Sequence, residues 1–190
     1  MNIYEAIRQY QPFNVQELKD KRIILEFLDR YDDAFDRSNE LAHMTASAWV
    51  VNKDRTKVLM AYHRIYDSWA WLGGHCDGEQ DCLKVAMKEV KEEAGVKSVI
   101  PVSEDIFSME ILSVDSHIRK GEYVPTHLHL NVTYLLEADE REKLFIKEDE
   151  NSGVAWFYLD EALQKSNEKW FIENIYKKLN AKLRGMYENN

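Results

Sequence analysis

Three glutamates with the spacing of one helical arc lie near the end of the segment 73–96, GGHCDGEQDCLKVAMKEVKEEAGV. Glu89, Glu92 and Glu93 stand at i, i+3 and i+4, where like charges on a helix repel one another. They also fall in the last turn, where the helix dipole disfavours negative charge. A hard divalent cation such as Mg²⁺ or Mn²⁺ would offset both costs, because it prefers oxygen ligands. The spacing therefore indicates a divalent-metal site.

Glutamates on a helix more often form an ordinary solvated face, so the context of the three acids matters. A Gly73-Gly74 turn precedes the helix, which we predict over about 81–94, and Gly95 suits a left-handed C-terminal cap. At helical spacing one face is apolar and three lysines lie roughly opposite it. The apolar face comprises Leu83, Ala86, Met87, Val90 and Ala94, and the lysines are Lys84, Lys88 and Lys91.

The segment resembles the signature of the Nudix hydrolases, G-x5-E-x7-R-E-U-x-E-E-x-G-U, where U is a bulky aliphatic residue. The resemblance extends over about residues 43–165, because the flanking predicted strands fit the same fold. Two positions depart from the pattern: Gln80 stands where it has its first glutamate, and Lys88 stands where it has an arginine. The positions that match are Gly74, Glu89, Val90, Glu92, Glu93, Gly95 and Val96.

Neither departure removes the metal-binding part of the signature. Some Nudix-like sequences have a G-G-H-x-D-G loop, which here is residues 73–78. In the family the arginine orients a catalytic glutamate. Lys88 keeps the positive charge but lacks the bidentate fork of a guanidinium.

The resemblance implies metal-dependent hydrolysis of a nucleoside diphosphate linked to another group, with water attacking a phosphorus. It implies metal ligands at Glu89, Glu92 and Glu93, with the Gly73 carbonyl as a further one. It also implies catalytic roles for Glu92, Glu93 and Lys88. Members often use one more acid from outside the signature, for which Glu150 is our candidate; the alternative is a surface acid in a polar loop.

Several residues outside the glutamate cluster are candidates for substrate binding. Arg64 follows a predicted strand and is suited to a phosphate, unless it is simply exposed. His75 lies in the signature loop. His127 and His129 alternate on a predicted strand and so share one face, as a metal pair, a substrate contact or packed core residues. Trp69 and Trp71 could stack a base, although we expect one of them in the core.

The elements around the segment predict an α+β protein, a Nudix-type α/β/α sandwich with a mixed sheet. We expect a helical N-terminal extension over 1–42 and a Nudix domain with a C-terminal helix over 43–190. Helices are predicted over about 2–31 and 168–183, the first with a capping box at Asn14-Val15-Gln16-Glu17. Strands are predicted at 45–51 and 58–62 as a hairpin, and at 106–114, 126–137 and 154–159.

Composition limits the partners. The 190 residues hold 34 Asp+Glu and 25 Lys+Arg, a net charge of −9, which disfavours long nucleic acids as ligands. Two cysteines suggest neither a disulfide framework nor a structural zinc site. With no signal-peptide pattern and no long apolar run, we expect a cytoplasmic protein without a membrane partner. A small nucleotide-type pyrophosphate is the expected substrate, and a homodimer is possible.

Two functions remain open at this point. The first is a Mg²⁺- or Mn²⁺-dependent pyrophosphohydrolase, which the intact glutamate triplet favours. The second is a Nudix-fold module that binds a nucleotide without hydrolysing it, which Gln80 and Lys88 suggest. The isopentenyl diphosphate isomerase branch of the fold is remote, because we see no matching pair of a catalytic cysteine and glutamate.

Overall fold

The computed structural model describes residues 2–64, 67–119, 121–147 and 151–188. The helices are α1 Ile3–Gln9, α2 Val15–Leu28, α3 Cys82–Ala94, α4 Leu159–Lys165, α5 Lys169–Phe171 and α6 Lys177–Glu188, with a π-helical turn Ile172–Tyr176 between the last two. The strands are β1 Ala42–Val51, β2 Lys57–His63, β3 Ser68–Ala70, β4 Leu72–His75, β5 Val99–Pro101, β6 Ser108–Val114, β7 His117–Arg119, β8 Glu122–Val124, β9 His127–Ala138 and β10 Asn151–Tyr158. The predicted α+β class is confirmed.

The chain forms two compact units. The first comprises Met1–Ser47, Gly73–Ala86 and Ser103–Tyr134, and the second comprises Ala48–Leu72, Met87–Val102 and Leu135–Asn190. Strands β1, β4 and β9 and helix α3 contribute residues to both units. Among the described residues, we find no helix with the length and apolar character needed to cross a membrane.

In the first unit, β6 pairs antiparallel with β9, so that Glu110 lies opposite Asn131 and Val114 lies opposite His127. Helix α2 lies against β6, and its Glu17 is fully buried there. The Ser108 hydroxyl donates to Glu17 Oε1 at 2.9 Å, and the Tyr10 hydroxyl donates to Oε2 at 2.6 Å. A buried carboxylate thus fastens the N-terminal helices to the sheet.

The N-terminal segment is two helices rather than the one helix that we predicted over 2–31. Asn2 caps α1, and Asn14 caps α2 by accepting the Glu17 N–H at 2.9 Å. The predicted cap at Asn14 is therefore confirmed. Glu17 does not return to the Asn14 N–H, however, because its carboxylate accepts the Phe13 N–H at 2.7 Å and the Tyr10 hydroxyl.

In the second unit the strand order is β10-β2-β1-β9-β5. The predicted hairpin is confirmed, because β1 and β2 are antiparallel with Val51 opposite Val58. Asn52 closes its turn by accepting the Thr56 and Lys57 N–H groups at 2.9 Å each. Trp49 is fully buried and stacks on Tyr176 with ring centroids 5.5 Å apart.

The C-terminal helix begins where we predicted it but contains a π-helical turn, and helix α4 before it was not foreseen. The strands that we missed, β3, β4, β5, β7 and β8, have three or four residues each, too short to show a period-2 pattern. The division of the chain at residues 42 and 43 stays a prediction.

Candidate functional site

Helix α3 carries the three glutamates on its last two turns. The Asp81 carboxylate accepts the Lys84 N–H at 3.0 Å and so caps the start of the helix. Gly95 ends it at φ +69°, with its N–H on the Lys91 carbonyl at 3.0 Å. A Cβ on Gly95 would stand 2.7 Å from Phe145 Cβ, so both conformation and space require glycine here.

The glutamates differ in exposure. The Glu89 side chain is 12% exposed and that of Glu92 43%, whereas Glu93 as a residue is 7% exposed. The Lys88 ammonium lies 3.5 Å from Glu89 Oε1 and 3.6 Å from Glu92 Oε1. A single lysine thus spans two of the three carboxylates.

The predicted apolar face of α3 needs one correction. Ala86, Val90 and Ala94 are buried as expected, but Leu83 and Met87 are only half-buried, and Val85 is buried instead. The buried arc of the helix is therefore rotated towards Val85 and Glu93. This rotation explains why Glu93 is the most enclosed of the three acids.

The segment before β10 closes the C-terminal end of α3. The Phe145 N–H donates to the Ala94 carbonyl at 2.9 Å, and the Asn151 side-chain amide donates to the Glu93 carbonyl at 3.2 Å. These bonds satisfy carbonyls that a helix end leaves without partners. The Lys147 ammonium lies 3.7 Å from Glu92 Oε2 and adds a second cation.

Arg64 comes to the same segment. Its side chain is exposed, and its Nε donates to the Asn151 carbonyl at 3.3 Å. Asn151 also donates to the Glu93 carbonyl, so this one residue connects the Arg64 guanidinium to the C-terminal end of α3. Glu150 lies outside the described residues.

Gly73 stands where two backbones touch. A Cβ there would lie 2.6 Å from the Ala46 carbonyl oxygen and 2.6 Å from Ser47 Cα, so glycine alone fits. Further along the loop, Asp77 has a φ of +49° and is held by a two-pronged pair with the Arg37 guanidinium. Close packing and this ion pair fix the loop that carries His75.

His75, His127 and His129 are brought together in the first unit. The two β9 histidines share a face, as predicted, with their Nε2 atoms 3.2 Å apart. The ring of His75 lies 4.8 Å from that of His129, between centroids. His43 at the start of β1 completes the group, with its ring 5.1 Å from those of His75 and His129. We call these four residues the histidine cluster.

Burial favours the neutral form of two members of the histidine cluster, His129 and His43. It lowers the pKa of His129 to about 2, with a further contribution from the neighbouring His75, His43 and His127. Burial also lowers the pKa of His43, although the Asn39 carbonyl on its Nδ1 partly opposes this. His43 and His129 are therefore neutral imidazoles at physiological pH.

Trp69 and Trp71 are both half-buried and both take part in aromatic packing. Trp69 meets Phe157 edge-on with centroids 4.8 Å apart, and Trp71 meets Tyr176 at 5.9 Å. Neither residue is fully enclosed, so the expected core tryptophan is Trp49 instead.

The sequence-predicted residues thus fall into two groups, each within one unit. Glu89, Glu92, Glu93, Lys88 and Arg64 belong to the second unit, and Gly73, His75, His127 and His129 belong to the first. Sequence reasoning missed Lys147 and Asn151, which carry no motif, and His43. His43 lies two residues before the predicted strand 45–51, and nothing in the local pattern singles it out.

The carboxylates fit a hard divalent ion. Three acids on adjoining turns supply oxygen donors only, the set that Mg²⁺ and Mn²⁺ prefer. Glu93 is enclosed while Glu92 is open, so the group is held on one side and accessible on the other. The two lysines near Glu92 are cations that a phosphate oxygen can also contact.

Comparisons with known proteins, by sequence and by structure, point to the same family and fold. The model of the NUDIX domain matches residues 41–179. A C. elegans Ap4A hydrolase in a binary complex has a similar structure, with a TM-score of 0.55 and 20% identity over 75% of this chain and 98% of that chain. A second structure of C. elegans Ap4A hydrolase gives 0.51 and 18%, over 76% and 97%. No individual curated protein matches the sequence. At these identities the structures show the fold alone, the predicted α/β/α sandwich.

Proposed function

Because the chain belongs to the Nudix family, whose hydrolases cleave pyrophosphate bonds in nucleoside diphosphate derivatives, we propose that it does so with Mg²⁺ or Mn²⁺ held by Glu89, Glu92 and Glu93. The observation that carries the proposal is the carboxylate triplet on the last turns of α3, with Lys88 across two of its members. The Gly73 carbonyl is proposed as a further ligand.

When bound, the divalent ion neutralises the pyrophosphate and lowers the pKa of the attacking water. The chain's own residues supply position and charge. Glu93 is fixed by burial, and its backbone carbonyl is held by Asn151. Lys88 acts as a positioning residue, because its ammonium restrains Glu89 and Glu92 where repulsion would spread them apart.

Arg64 is the proposed phosphate contact. Its exposed guanidinium donates to the Asn151 carbonyl through Nε, and a guanidinium suits the oxygens of a phosphate. Lys147 lies near Glu92 from the same segment and adds positive charge. Glu150 is retained from the sequence as the additional acid, to be tested by Glu150→Gln.

The experiment is a turnover panel with purified protein and either Mg²⁺ or Mn²⁺. ADP-ribose, sugar nucleotides, dinucleoside polyphosphates and oxidised deoxynucleotides are each offered, and released phosphate or nucleotide is measured. We expect hydrolysis of at least one class, its loss on chelation, and its return when metal is restored. Reaction in ¹⁸O-labelled water should place one labelled oxygen on a phosphate product.

The competing function is a module that binds a nucleotide without hydrolysing it. The same substrate panel distinguishes this function from hydrolysis. Tight nucleotide binding with no turnover on any substrate class would favour the module and contradict the proposal. Lys88 bears on this choice, because a lysine forms a looser contact with carboxylates than the arginine of the signature. Its distances of 3.5 and 3.6 Å nevertheless keep it at the glutamates.

A further inference from the structure

The histidine cluster offers nitrogen donors from three strands of the first unit. One ligating atom from each of His43, His75 and His129 lies within 4.8 Å of those of the other two. His43 belongs to β1, His75 ends β4, and His129 lies on β9. This donor set contains no carboxylate, and so differs in chemistry from the glutamates of α3.

His43 has a buried ring nitrogen, Nε2, that lacks a hydrogen-bond partner in the part of the chain that the structure describes. Its Nδ1 lies 3.0 Å from the Asn39 carbonyl, and because a carbonyl only accepts, Nδ1 carries the proton. Its Nε2 therefore carries a lone pair, and among the described residues this atom has no hydrogen-bond partner although His43 is only 3% exposed. A histidine packed only for structure would have this buried acceptor satisfied. A backbone carbonyl on one nitrogen with the other left bare is the arrangement of a metal-ligating imidazole.

His127, the fourth member of the histidine cluster, contacts His129 and is not one of the three ligand candidates. Its Nδ1 lies 2.8 Å from the Pro125 carbonyl, so that this nitrogen also carries the proton. Its Nε2 is then an acceptor, 3.2 Å from Nε2 of His129. His127 is thus placed to orient His129, as outer residues orient the ligands of metal sites.

We propose that His43, His75 and His129 bind one zinc-class divalent ion, with His127 as a positioning residue and the fourth coordination position open. Imidazole nitrogens favour Zn²⁺ and its neighbours over Mg²⁺. Three histidines with an open position are a known coordination for zinc. In a tetrahedral site the nitrogens stand about 3.3 Å apart, so small rotations of the rings bring the three donors into place.

The inference does not rest on the proposed hydrolysis, because the two sites use different residues. It is tested on the full chain after metals are removed with a chelator. Co²⁺, whose visible bands report its coordination, is then titrated in, and Zn²⁺ is added to displace it. We expect one equivalent of Co²⁺ with four-coordinate bands, displacement by Zn²⁺, and no change on adding Mg²⁺.

Variants identify the ligands. His43→Ala and His129→Ala should each weaken Co²⁺ binding by more than about 100-fold, and His127→Ala by about 10- to 100-fold. His117→Ala is the matched control, because His117 lies in the same unit outside the triad, and it should bind Co²⁺ normally. The double variant Glu92→Gln/Glu93→Gln should keep the cobalt bands while losing any hydrolysis.

The half-buried His75 provides a second ligand variant should His43→Ala fail to fold, as judged by circular dichroism. Absence of Co²⁺ and Zn²⁺ binding to the wild type would overturn the proposal. Binding that survives the histidine variants but disappears in the glutamate double variant would overturn it as well, and would assign the ion to α3.

Discussion

Lys88 contacts two of the three glutamates of α3 and faces solvent with most of its side chain, which is 62% exposed. Its effect on stability is therefore small, because exposed ion pairs are screened. Its effect on the metal site should be larger, because the carboxylates it restrains are the proposed ligands. Substitutions of Lys88 can therefore show whether it positions the metal ligands, because they should change activity without much change in stability.

We predict that Lys88→Met lowers kcat about tenfold and raises the Mg²⁺ concentration needed for half-maximal rate, since two ligands lose their restraint. Lys88→Arg should keep the wild-type rate or exceed it, because a guanidinium pairs with carboxylates bidentately. Steady-state kinetics against Mg²⁺ concentration measure both. Lys91→Met, on the same helix, is the control; an unchanged rate in Lys88→Met would remove Lys88 from the site.

Functional residues that lie close together in the sequence could be predicted from it, whereas those that come together only in the fold could not. The glutamates were readable because all three lie within five residues of one helix. His127 and His129 were readable as a pair because alternation along a strand places them on one face. His43 was not, because its meeting with His75 and His129 depends on strands that are distant in the chain.

Helix α2 is held to β6 by a fully buried carboxylate. Glu17 accepts hydrogen bonds from Ser108, Tyr10 and the Phe13 N–H. A buried polar group is costly unless it is hydrogen-bonded. Here the Tyr10 hydroxyl and the Phe13 N–H donate to Glu17, and the Ser108 hydroxyl is shared with Glu110. The contact makes docking of the N-terminal helices specific in register.

We predict that Glu17→Ala lowers the free energy of unfolding by about 2–3 kcal/mol, since the Tyr10 hydroxyl and the Phe13 N–H lose their buried acceptor. Glu26→Ala, on the exposed face of the same helix, should change it by less than about 0.5 kcal/mol. Urea denaturation followed by circular dichroism compares the two variants. Equal effects would show that Glu17 does not anchor α2.

Asn151 connects the end of α3 to the start of β10. Its amide donates to the Glu93 carbonyl, and its Oδ1 accepts the Lys147 N–H at 3.0 Å. We predict that Asn151→Ala costs about 1–3 kcal/mol of unfolding free energy, because a buried carbonyl loses its donor. It should also lower kcat, whereas the exposed neighbour Ser152→Ala should do neither. Urea denaturation and turnover are measured on the same samples. Wild-type stability and kcat in Asn151→Ala would contradict this role of Asn151.

At the element scale, length decided what could be predicted. Strands β1, β6 and β9 have seven residues or more and were found within a few residues of their ends. The break between α1 and α2 was missed although Pro12 marks it, because the apolar spacing continues on both sides. The π-helical turn before α6 leaves no local pattern, since tertiary packing determines it.

Over the whole molecule, several tyrosines are buried deeply enough to resist ionisation. Burial raises the pKa of Tyr134 and of Tyr176 above the ordinary value of 10.0. Above that pH the unfolded chain releases tyrosine protons that the folded chain keeps. The unfolded state then binds fewer protons, and stability falls as pH rises.

We predict that the ionisation of these tyrosines does not affect the free energy of unfolding below pH 10.0. Above that pH the free energy of unfolding should decline by up to about 1.4 kcal/mol per pH unit for each buried tyrosine. Tyr134→Phe should reduce the slope. Tyr123→Phe is the control, because Tyr123 is 68% exposed. Urea denaturation at about pH 9 and about pH 11 measures it, and a slope unchanged in Tyr134→Phe would contradict the assignment.

The acidity of the chain takes on a particular meaning at this scale. Residues 73–96 contain six acids and three lysines, a sum of 3 − 6 = −3 against the total of −9. In the structure, Asp77 pairs with Arg37 and Glu79 pairs with Lys84. The longer contacts of Lys88 and Lys147 reach Glu89 and Glu92. The excess at α3 is what a divalent ion would neutralise.

The most direct test of the central claim is the turnover of Glu93→Gln at saturating Mg²⁺, on the best substrate of the panel. Glutamine preserves the size of the side chain, and circular dichroism confirms the fold. We predict that kcat falls at least about 100-fold, since loss of a metal ligand removes several kcal/mol of transition-state stabilisation. The control Glu173→Gln, an exposed helical acid paired with Lys177, should keep the wild-type rate. A near-normal rate in Glu93→Gln would contradict the account.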